Sequence, residues 1–471
     1  MTQSPLSPPE CVRGMTTLDR SKFTKVIRVP VLKIGEMSMS FVMVALKSYL
    51  LKIEKFKPIQ PDEGDVKQKV IFLNPDQVSG FESFGEEVRK VLLDYDITDA
   101  SLEYRPITLT YDSWKCHDII AAILPAELKF SGFSVIGTII HVNLKEQLSA
   151  YKDVIGQVLL EKMKNCKSVV RKVKRIENTF RNLEVEVLTG DSNLQTAVKE
   201  NGCQFELNFR DVYWNPRLHD EHARILKKMN AGDVLYDVFC GIGPFAIPAA
   251  RNGCEVLAND LNPECIKWLR RNMTVNKVTA DRLQVFNKSG ETFIRDDVRV
   301  DLLKRVTDPK HRASRFHITM NLPDTAHTFL RSFVGLFDDH EVSLFTASRL
   351  PIVHLYCFVK ENKDASGQLQ KGHAEAQAKE LVETALGIRL PRTAEVFNVR
   401  NVAPNKDMVR VSFVLPKEVL QDSQPKAKRG HDETNVTEVK ELKIEHMECD
   451  SSTPPDAVDD VLPPTKRSKS A

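Results

Sequence analysis

The chain has 471 residues, long enough for two or three domains, and 42% of them are apolar, which supports buried cores. Its formal net charge is only +3, so a nucleic-acid site would have to be a local basic patch and not a property of the whole surface. Nine cysteines are scattered without a CxxC pair or zinc-like spacing. This pattern indicates reduced, intracellular thiols and argues against a disulfide framework or a bound metal.

In chain order, the sequence predicts an arm and two small α/β domains before the central part of the chain. Residues 1–14 are expected to be a disordered arm. Mixed strand-like and helical runs indicate a first domain over residues 15–100 and a linking domain over residues 101–215. The linking domain carries a basic band, which is either a solvated helix face or a surface for phosphate contact. Its members are Lys162, Lys164, Lys167, Arg171, Lys172, Lys174 and Arg175.

No stretch predicts a membrane span, since the most apolar candidate, residues 37–46, is too short to cross a bilayer. Basic residues accumulate between residues 13 and 28 while acids stay few, which leaves a mitochondrial presequence open. Short basic clusters at residues 426–429 and 466–469 are similar to nuclear-import signals. We therefore expect a monomer in cytoplasm and nucleus, with the mitochondrial matrix as an alternative.

The pattern between residues 234 and 262 predicts a strand, a glycine turn, a helix and a second strand. Gly241 and Gly243 let the backbone turn sharply and leave room for a ligand, while the helix that follows presents free N–H groups. Asp260 ends the second strand about twenty residues later, where a carboxylate can accept both hydroxyls of a ribose. This stretch therefore predicts a site for an adenosine-containing cofactor.

Further strands are predicted at residues 283–286, 316–322 and 352–359, and a final pair at 394–402 and 408–415. The link within the final pair is so short that the two strands must be antiparallel. Such a terminal hairpin is typical of AdoMet-dependent methyltransferases and not of hydride-transferring Rossmann domains. The predicted fold class is α/β, with a Rossmann-like class I AdoMet methyltransferase domain over residues 216–416 that follows the two smaller α/β domains. The polar stretch 417–471 is expected to be a disordered tail.

The predicted strand ends carry polar groups that should meet at one edge of the sheet, where ligands bind in open α/β folds. Methyl transfer to a ring N–H, such as N1 of guanine, also requires removal of a proton. A carboxylate is the natural base, and a cation near O6 would stabilise the charge that develops there. Glu221, sixteen residues before Asp237, and Arg181 are the candidates for these two roles.

Six motifs, in order, resemble the archaeal and eukaryotic tRNA (guanine-N1)-methyltransferase family, which modifies the guanosine 3′ to the anticodon, at position 37. The motifs are FRNLEVEVLTGD, VYWNPRLHDEHARI, DVFCGIGPFAIPAA, NDLNPECIKWL, MNLPDTAHTFL and VRNVAPNKDMV. They cover residues 130–415, and the resemblance is weaker over the N-terminal domain. The resemblance implies S-adenosyl-L-methionine (AdoMet) as cofactor, tRNA with guanosine at position 37 as partner, and recognition of tRNA by residues 15–100.

The resemblance also implies roles for individual residues. Glu221 matches the general base, Arg181 the arginine that stabilises the reacting guanine, and Asn321 a further catalytic position. The implied cofactor-binding residues are Tyr213, His222, Gly241, Asp260, Leu261, Ser289, Gly290, Asn321 and Pro323. Ser289 departs from the family, which often has an acid there, and a hydroxyl accepts a hydrogen bond from the adenine amino group only weakly.

Three alternatives remain open at this point. A related transferase attaches the aminocarboxypropyl arm of AdoMet during wybutosine synthesis, although the DLNP and NLP motifs favour methyl transfer. A nicotinamide-dependent oxidoreductase is disfavoured by the terminal hairpin. A catalytically inactive RNA-binding protein is disfavoured because Glu221, Arg181 and Asn321 are all present.

Overall fold

The computed structural model describes residues 4–35, 39–64, 68–175, 183–360, 372–403 and 405–421. The chain divides into two compact units. The N-terminal unit comprises Met1–Val173 and Val185–Leu194, and the C-terminal unit comprises Lys174–Glu184 and Gln195–Ala471. Within the described ranges, no helix combines the length and the apolar character that a membrane crossing requires.

The N-terminal unit contains two four-stranded sheets, with strand orders β2-β3-β1-β4 and β5-β6-β7-β8. Its elements are β1 (Lys25–Gly35), α1 (Met39–Leu46), β2 (Ile59–Pro61), β3 (Gln68–Phe72), α2 (Glu86–Asp94), β4 (Leu102–Leu109), α3 (Cys116–Ile123), β5 (Phe133–Ile136), β6 (Ile139–Val142), α4 (Lys152–Lys162), β7 (Ser168–Arg175) and β8 (Leu183–Gly190).

The predicted boundary between residues 100 and 101 is wrong, because it separates two strands of one sheet. β4 pairs antiparallel with β1 from Lys25 opposite Leu109 to Leu32 opposite Leu102. One apolar core also joins Phe23 from the start of the unit to Trp114 and to α4. Strand pairing across some eighty residues leaves no trace in local periodicity, so the sequence pattern alone divided a single unit.

The predicted disordered arm is also corrected, because residues 4–14 pack onto the N-terminal unit. Val12 is fully buried in the core. The Arg13 guanidinium donates to the Leu124 carbonyl at 3.0 Å, and the Gly14 N–H donates to the Ile123 carbonyl at 2.7 Å. The prolines of this stretch suggested an open chain, but contacts to the end of α3 order it.

The basic band does not form a helix face. Lys162 ends α4, and the following members lie in the connecting loop and on β7. The Lys162 ammonium is buried, which lowers its pKa, and it donates to the Tyr111 carbonyl at 2.7 Å. Arg171 pairs with Glu186 at 2.6 Å. Lys164 and Lys167 remain exposed, so the band offers less free charge than its composition indicates.

The C-terminal unit contains the hairpin β9 (Gln195–Glu200) and β10 (Cys203–Asn208) followed by a larger α/β fold. Its other elements are α5 (His219–Leu226), β11 (Val234–Asp237), α6 (Ala246–Arg251), β12 (Glu255–Asn259), α7 (Pro263–Val275), β13 (Leu283–Phe286), α8 (Gly290–Thr292), a π-helical segment (Phe293–Val298), α9 (Arg299–Thr307), β14 (Phe316–Met320), a 3-10 helix (Ala326–Phe333), α10 (Asp339–Ser343), β15 (Ile352–Lys360), α11 (His373–Leu386), β16 (Glu395–Ala403), β17 (Lys406–Val414) and α12 (Lys417–Leu420).

The seven-stranded sheet confirms the predicted fold class. Its order is β13-β12-β11-β14-β15-β17-β16, and β17 runs antiparallel to both of its neighbours while the other strands are parallel. The chain therefore ends its sheet with the expected hairpin. The strand order reverses at β11, which places a crevice for ligands at the carboxyl ends of β11 and its neighbours.

The C-terminal unit extends beyond both predicted limits of the methyltransferase domain, residues 216 and 416. The hairpin β9–β10 belongs to the C-terminal unit because side chains of α7 bind its backbone. The Asn272 amide accepts from the Glu206 N–H at 2.7 Å and donates to the Glu206 carbonyl at 3.1 Å. At the other end, Val419 and Leu420 of α12 are buried, so the unit continues beyond the predicted start of the tail at residue 417. Residues 422–471 lie outside the described residues.

The two faces of the large sheet differ in chemistry, because successive side chains of a strand point to opposite faces. One face carries the main apolar core, with Tyr236, Ile318 and Leu355 among its members. The other face carries buried polar side chains at positions that the strand register aligns. They are Asp237, His317, Thr319, His354, Tyr356, Arg410 and Ser412.

We expect Val12→Ala to destabilise the N-terminal unit by about 2 kcal/mol, because it leaves a cavity in a closed core. Val26→Ala is the matched control, since Val26 lies in the same unit with 65% of its surface exposed and should change stability by less than about 0.5 kcal/mol. Urea unfolding followed by tryptophan fluorescence measures both, because Trp114 lies in the core around Val12. Equal midpoints for the two variants would contradict the packing of residues 4–14.

Candidate active site

The glycine turn after β11 uses its two glycines for different purposes. Both have positive φ angles, 52° at Gly241 and 97° at Gly243. A Cβ added to Gly243 would lie 2.6 Å from the Leu269 side chain and 2.9 Å from that of Ile247, whereas one added to Gly241 would meet no atom within 4 Å. Gly243 therefore permits close packing of α6 and α7, and Gly241 leaves space at the turn for a ligand.

Asp260 at the end of β12 is bound to this turn. Its Oδ2 accepts from the Gly241 N–H at 2.8 Å and its Oδ1 accepts from the Asn262 N–H at 2.9 Å. Burial raises the pKa of Asp260, and the two backbone N–H bonds oppose that shift. The Cys265 thiol also donates to this carboxylate, and the acceptor capacity that remains can bind ligand hydroxyls.

Asn259, which the sequence reasoning did not single out, joins three strand ends. Its buried amide donates to the Val238 carbonyl at 3.2 Å and to the Lys288 carbonyl at 3.0 Å, and it accepts from the Lys288 N–H at 2.9 Å. The ends of β11, β12 and β13 are thereby held together. An amide at the end of an apolar strand, directly before the acid, was the available signal.

Asp237 lies fully buried under the turn, with one oxygen satisfied and one not. Oδ1 accepts from the Thr319 hydroxyl at 2.8 Å, whereas Oδ2 has no hydrogen-bond partner among the described residues. Burial raises the pKa of Asp237 to about 7, and the charge of Asp260 adds to this shift. A ligand group that donates a hydrogen bond at this position would satisfy the buried oxygen.

The remaining cofactor candidates follow the neighbouring strands. The Ser289 hydroxyl accepts from the Thr292 N–H at 3.1 Å and so caps α8. A Cβ on Gly290 would lie 2.8 Å from the Phe239 ring, so this position requires glycine. Asn321 and Pro323 follow β14 and are half-buried, and Leu261 after β12 is exposed. These residues and Gly241 and Asp260 thus all follow the carboxyl ends of adjacent strands.

α5 places Glu221 and His222 against the polar face of the sheet. The Glu221 carboxylate is only 3% exposed and accepts from Tyr356 of β15 at 3.0 Å, from Arg410 of β17 at 2.6 Å and from Arg224. The strand register sets Met320 opposite Leu355, so Tyr356 is level with Asn321 at the end of β14. This network ties the predicted base to β15, the neighbour of the strand that Asn321 follows.

His222 occupies a buried position beside the glycine turn. Its Nδ1 lies 2.5 Å from an oxygen of Glu200, and its ring packs edge-on against Phe245 with centroids 4.7 Å apart. In the part of the chain that the structure describes, its Nε2 has no partner. The imidazole can therefore offer one ring nitrogen to a ligand.

The two remaining predicted residues are Tyr213 and Arg181. Tyr213 is largely exposed, and its hydroxyl accepts from the Asn215 amide at 3.2 Å. Its neighbour Trp214 is buried against Phe205. Arg181 lies outside the described residues, so its place near a guanine stays a prediction.

A parallel sheet that ends in an antiparallel hairpin, with a glycine turn after one strand and an acid after the next, defines a Rossmann-like methyltransferase domain. Solved structures agree with this class. A wild-type Trm5b from Pyrococcus abyssi is 21% identical, with a TM-score of 0.52 over 82% of this chain and 99% of that chain. The structure described as a complex of aTrm5 and tRNALeu is 21% identical, with a TM-score of 0.54 over 82% of this chain and 100% of that chain.

Sequence comparisons identify a family within this class of methyltransferases. The TRM5/TYW2 methyltransferase domain matches residues 196–377, and the TYW2 N-terminal domain matches residues 116–193. Proteins named tRNA (guanine(37)-N(1))-methyltransferase are 42% identical in Anopheles gambiae, over 93% of this chain and 75% of that protein, and 39% identical in Homo sapiens, over 91% and 81%. The chain belongs to the tRNA (guanine(37)-N(1))-methyltransferase family.

We expect Gly243→Ala to lower the free energy of unfolding by about 2–5 kcal/mol, because the new methyl group overlaps two side chains at a strained φ angle. Gly241→Ala is the matched control, since it introduces only the φ strain, about 1–2 kcal/mol. Urea unfolding of both variants measures the difference. A larger loss for Gly241→Ala than for Gly243→Ala would exclude the proposed division of roles.

The Asp237 carboxyl makes stability depend on pH. The folded protein holds this proton up to about pH 7, whereas the unfolded chain releases it near the ordinary value of 3.8. Unfolding therefore becomes more favourable as pH rises from 4 to 7. Relative to wild type, Asp237→Asn should gain stability by at most about 1.4 kcal/mol per pH unit in this window. Urea unfolding at pH 5, 6 and 7 measures the gain, and parallel curves for the two proteins would refute it.

Proposed function

We propose that this protein transfers a methyl group from AdoMet to N1 of guanosine 37 in tRNA. The observation that carries the proposal is the similarity to proteins named for this activity, at about 40% identity over nine-tenths of the chain. The same similarity favours methyl transfer over the aminocarboxypropyl transfer of wybutosine synthesis. The antiparallel hairpin β16–β17 argues against a nicotinamide-dependent oxidoreductase.

The residues at the carboxyl edge of the sheet fit AdoMet. Asp260 keeps acceptor positions for the ribose hydroxyls, and Gly241 leaves space beside them. The unsatisfied oxygen of Asp237 and the free ring nitrogen of His222 are buried polar atoms that a polar ligand would satisfy. When bound, AdoMet supplies an electrophilic methyl group on a sulfonium.

The protein side of the reaction is proton removal and charge stabilisation. Glu221 accepts the proton of guanine N1 as the nitrogen lone pair attacks, which avoids a charged, protonated product ring. A guanidinium beside O6 stabilises the negative charge that gathers there, and we assign this role to Arg181. We assign to Asn321, which is level with Tyr356 in the strand register, the role of orienting the guanine through its amide.

We infer that tRNA with guanosine at position 37 is the partner and that the protein acts as a monomer. Exposed lysines at positions 164 and 167 of the N-terminal unit support contact with phosphates. We propose cytoplasm and nucleus as its compartments, with the mitochondrial matrix as an alternative, on the basis of the terminal basic residues.

Incubation with methyl-labelled AdoMet and tRNA transcripts tests the reaction and its acceptor. We expect label in a transcript with guanosine 37 and none in the matched adenosine 37 transcript, and nuclease digestion should yield 1-methylguanosine. Label in the adenosine 37 transcript would reject the substrate, and an aminocarboxypropyl product would establish the alternative transferase.

The assignment of Glu221 as the general base is tested by a separate experiment. Glu221→Gln keeps the size of the side chain but removes its basicity, so we expect the single-turnover rate to fall by about 100-fold or more while the Kd for AdoMet changes by less than about threefold. Rapid-quench assays and calorimetric titration measure the two quantities. Equal losses of rate and cofactor affinity would mean that Glu221 is a structural residue.

A further inference from the structure

The two oxygens of the Glu221 carboxylate have different environments. Oε1 accepts from Arg410 Nη1 at 2.6 Å and from the Tyr356 hydroxyl at 3.0 Å. Oε2 accepts from Arg224 Nη1. One oxygen is thus held by two adjacent strands, and the other by a residue one turn along the helix of Glu221 itself.

The groups on Oε1 are rigid. Arg410 is fully buried on β17, directly opposite Tyr356 of β15 in the strand register. Its second nitrogen, Nη2, donates to Glu395 of β16 at 2.6 Å, and its guanidinium lies 5.2 Å from the centre of the Phe397 ring. Because a buried guanidinium with two carboxylate partners cannot leave without exposing unpaired charges, Arg410 stays with Oε1 throughout turnover.

The group on Oε2 is free to move. The Arg224 side chain is 38% exposed, and Glu221 is its hydrogen-bond partner in the part of the chain that the structure describes. Its guanidinium also lies 4.1 Å from the centre of the Phe397 ring, at the surface of the network. Rotation about its side-chain bonds would carry its charge into water, while Arg410 would still pair with the buried carboxylate.

We propose that Arg410 and Tyr356 are positioning residues that anchor Glu221 through Oε1, so that Oε2 is the oxygen that takes the proton, and that Arg224 covers Oε2 until the guanine displaces it. This inference rests on the proposed function. In the reaction, the N1–H bond of guanine breaks and its proton forms a bond to Oε2. The N1 electron pair forms the new N–CH3 bond, and the electrons of the broken S–CH3 bond remain on sulfur.

The displacement gives the enzyme a base that is inactive until substrate arrives. While Arg224 donates to Oε2, it occupies the position that the guanine N1–H must approach. When Arg224 leaves, the Oε2 lone pair is open and one of the two cations is gone. The charged and titratable groups that remain around Glu221 are Arg410, Tyr356 and, through Arg410, Glu395 with its partner Lys228.

The test is the single-turnover rate with saturating AdoMet and guanosine 37 tRNA, measured beside the Kd for each ligand. Arg410→Gln removes the donor that fixes Oε1, so Oε2 is no longer held toward guanine N1. We expect the rate to fall by about tenfold or more while the Kd for AdoMet changes by less than about threefold. Arg410→Lys should restore much of the rate, and Arg224→Gln, which removes the group that guanine must displace, should lower the Kd for guanosine 37 tRNA.

Arg305→Gln is the matched control, because Arg305 is also buried and also bridges two carboxylates, those of Asp301 and Glu255. It should lose stability while the single-turnover rate stays within about threefold of the wild-type rate. Should Arg410→Gln fail to fold, Tyr356→Phe removes one donor to Oε1 and should lower the rate by a smaller factor.

An unchanged rate in Arg410→Gln or Tyr356→Phe, with active wild type, would overturn the anchoring, and so would equal losses of rate and AdoMet affinity. A higher Kd for guanosine 37 tRNA in Arg224→Gln would overturn the displacement. Failure of the wild type to methylate guanosine 37 would instead reject the proposed function, so the two failures are distinguishable.

Discussion

The buried ion pair between Glu221 and Arg410 is the interaction on which the architecture of the C-terminal unit depends. A charge removed from water must be paired, and breaking such a pair costs about 3–5 kcal/mol. The pair joins α5 to the antiparallel strand β17, and through Glu395 to the edge strand β16. The last hairpin of the chain is thereby tied to a helix that precedes the first strand of the sheet.

Buried side-chain amides also satisfy backbone groups elsewhere in the C-terminal unit. Asn259 satisfies backbone groups at the ends of three strands, and Asn272 satisfies the backbone of β10 from α7. Asn259 thereby holds the carboxyl ends of β11, β12 and β13 together beside Asp260 and the glycine turn. In contrast to these satisfied groups, Asp237 Oδ2 has no hydrogen-bond partner among the described residues. A ligand that donates a hydrogen bond there would satisfy it.

The N-terminal unit illustrates where local patterns mislead. Residues 1–14 were predicted to be a disordered arm and a domain boundary was predicted after residue 100, yet Val12 is buried and β4 pairs with β1. Both errors have one origin, because each segment is ordered by partners seventy or more residues away. Lys162 of the basic band likewise folds inward, to the Tyr111 carbonyl, which is distant in sequence.

Local pattern was sufficient for the glycine turn, the acid after β12, the terminal hairpin and the fold class, because turns and short links restrict the backbone whatever surrounds them. The strand pattern before Asn321 likewise predicted that this residue lies at the end of a strand. Only the tertiary structure decided that β1 to β8 form one unit and that one face of the large sheet is polar and buried. The tertiary structure alone also gives the two oxygens of Glu221 different hydrogen-bond donors. Tyr356 and Arg410 reach Oε1 from strands that lie more than a hundred residues further along the chain.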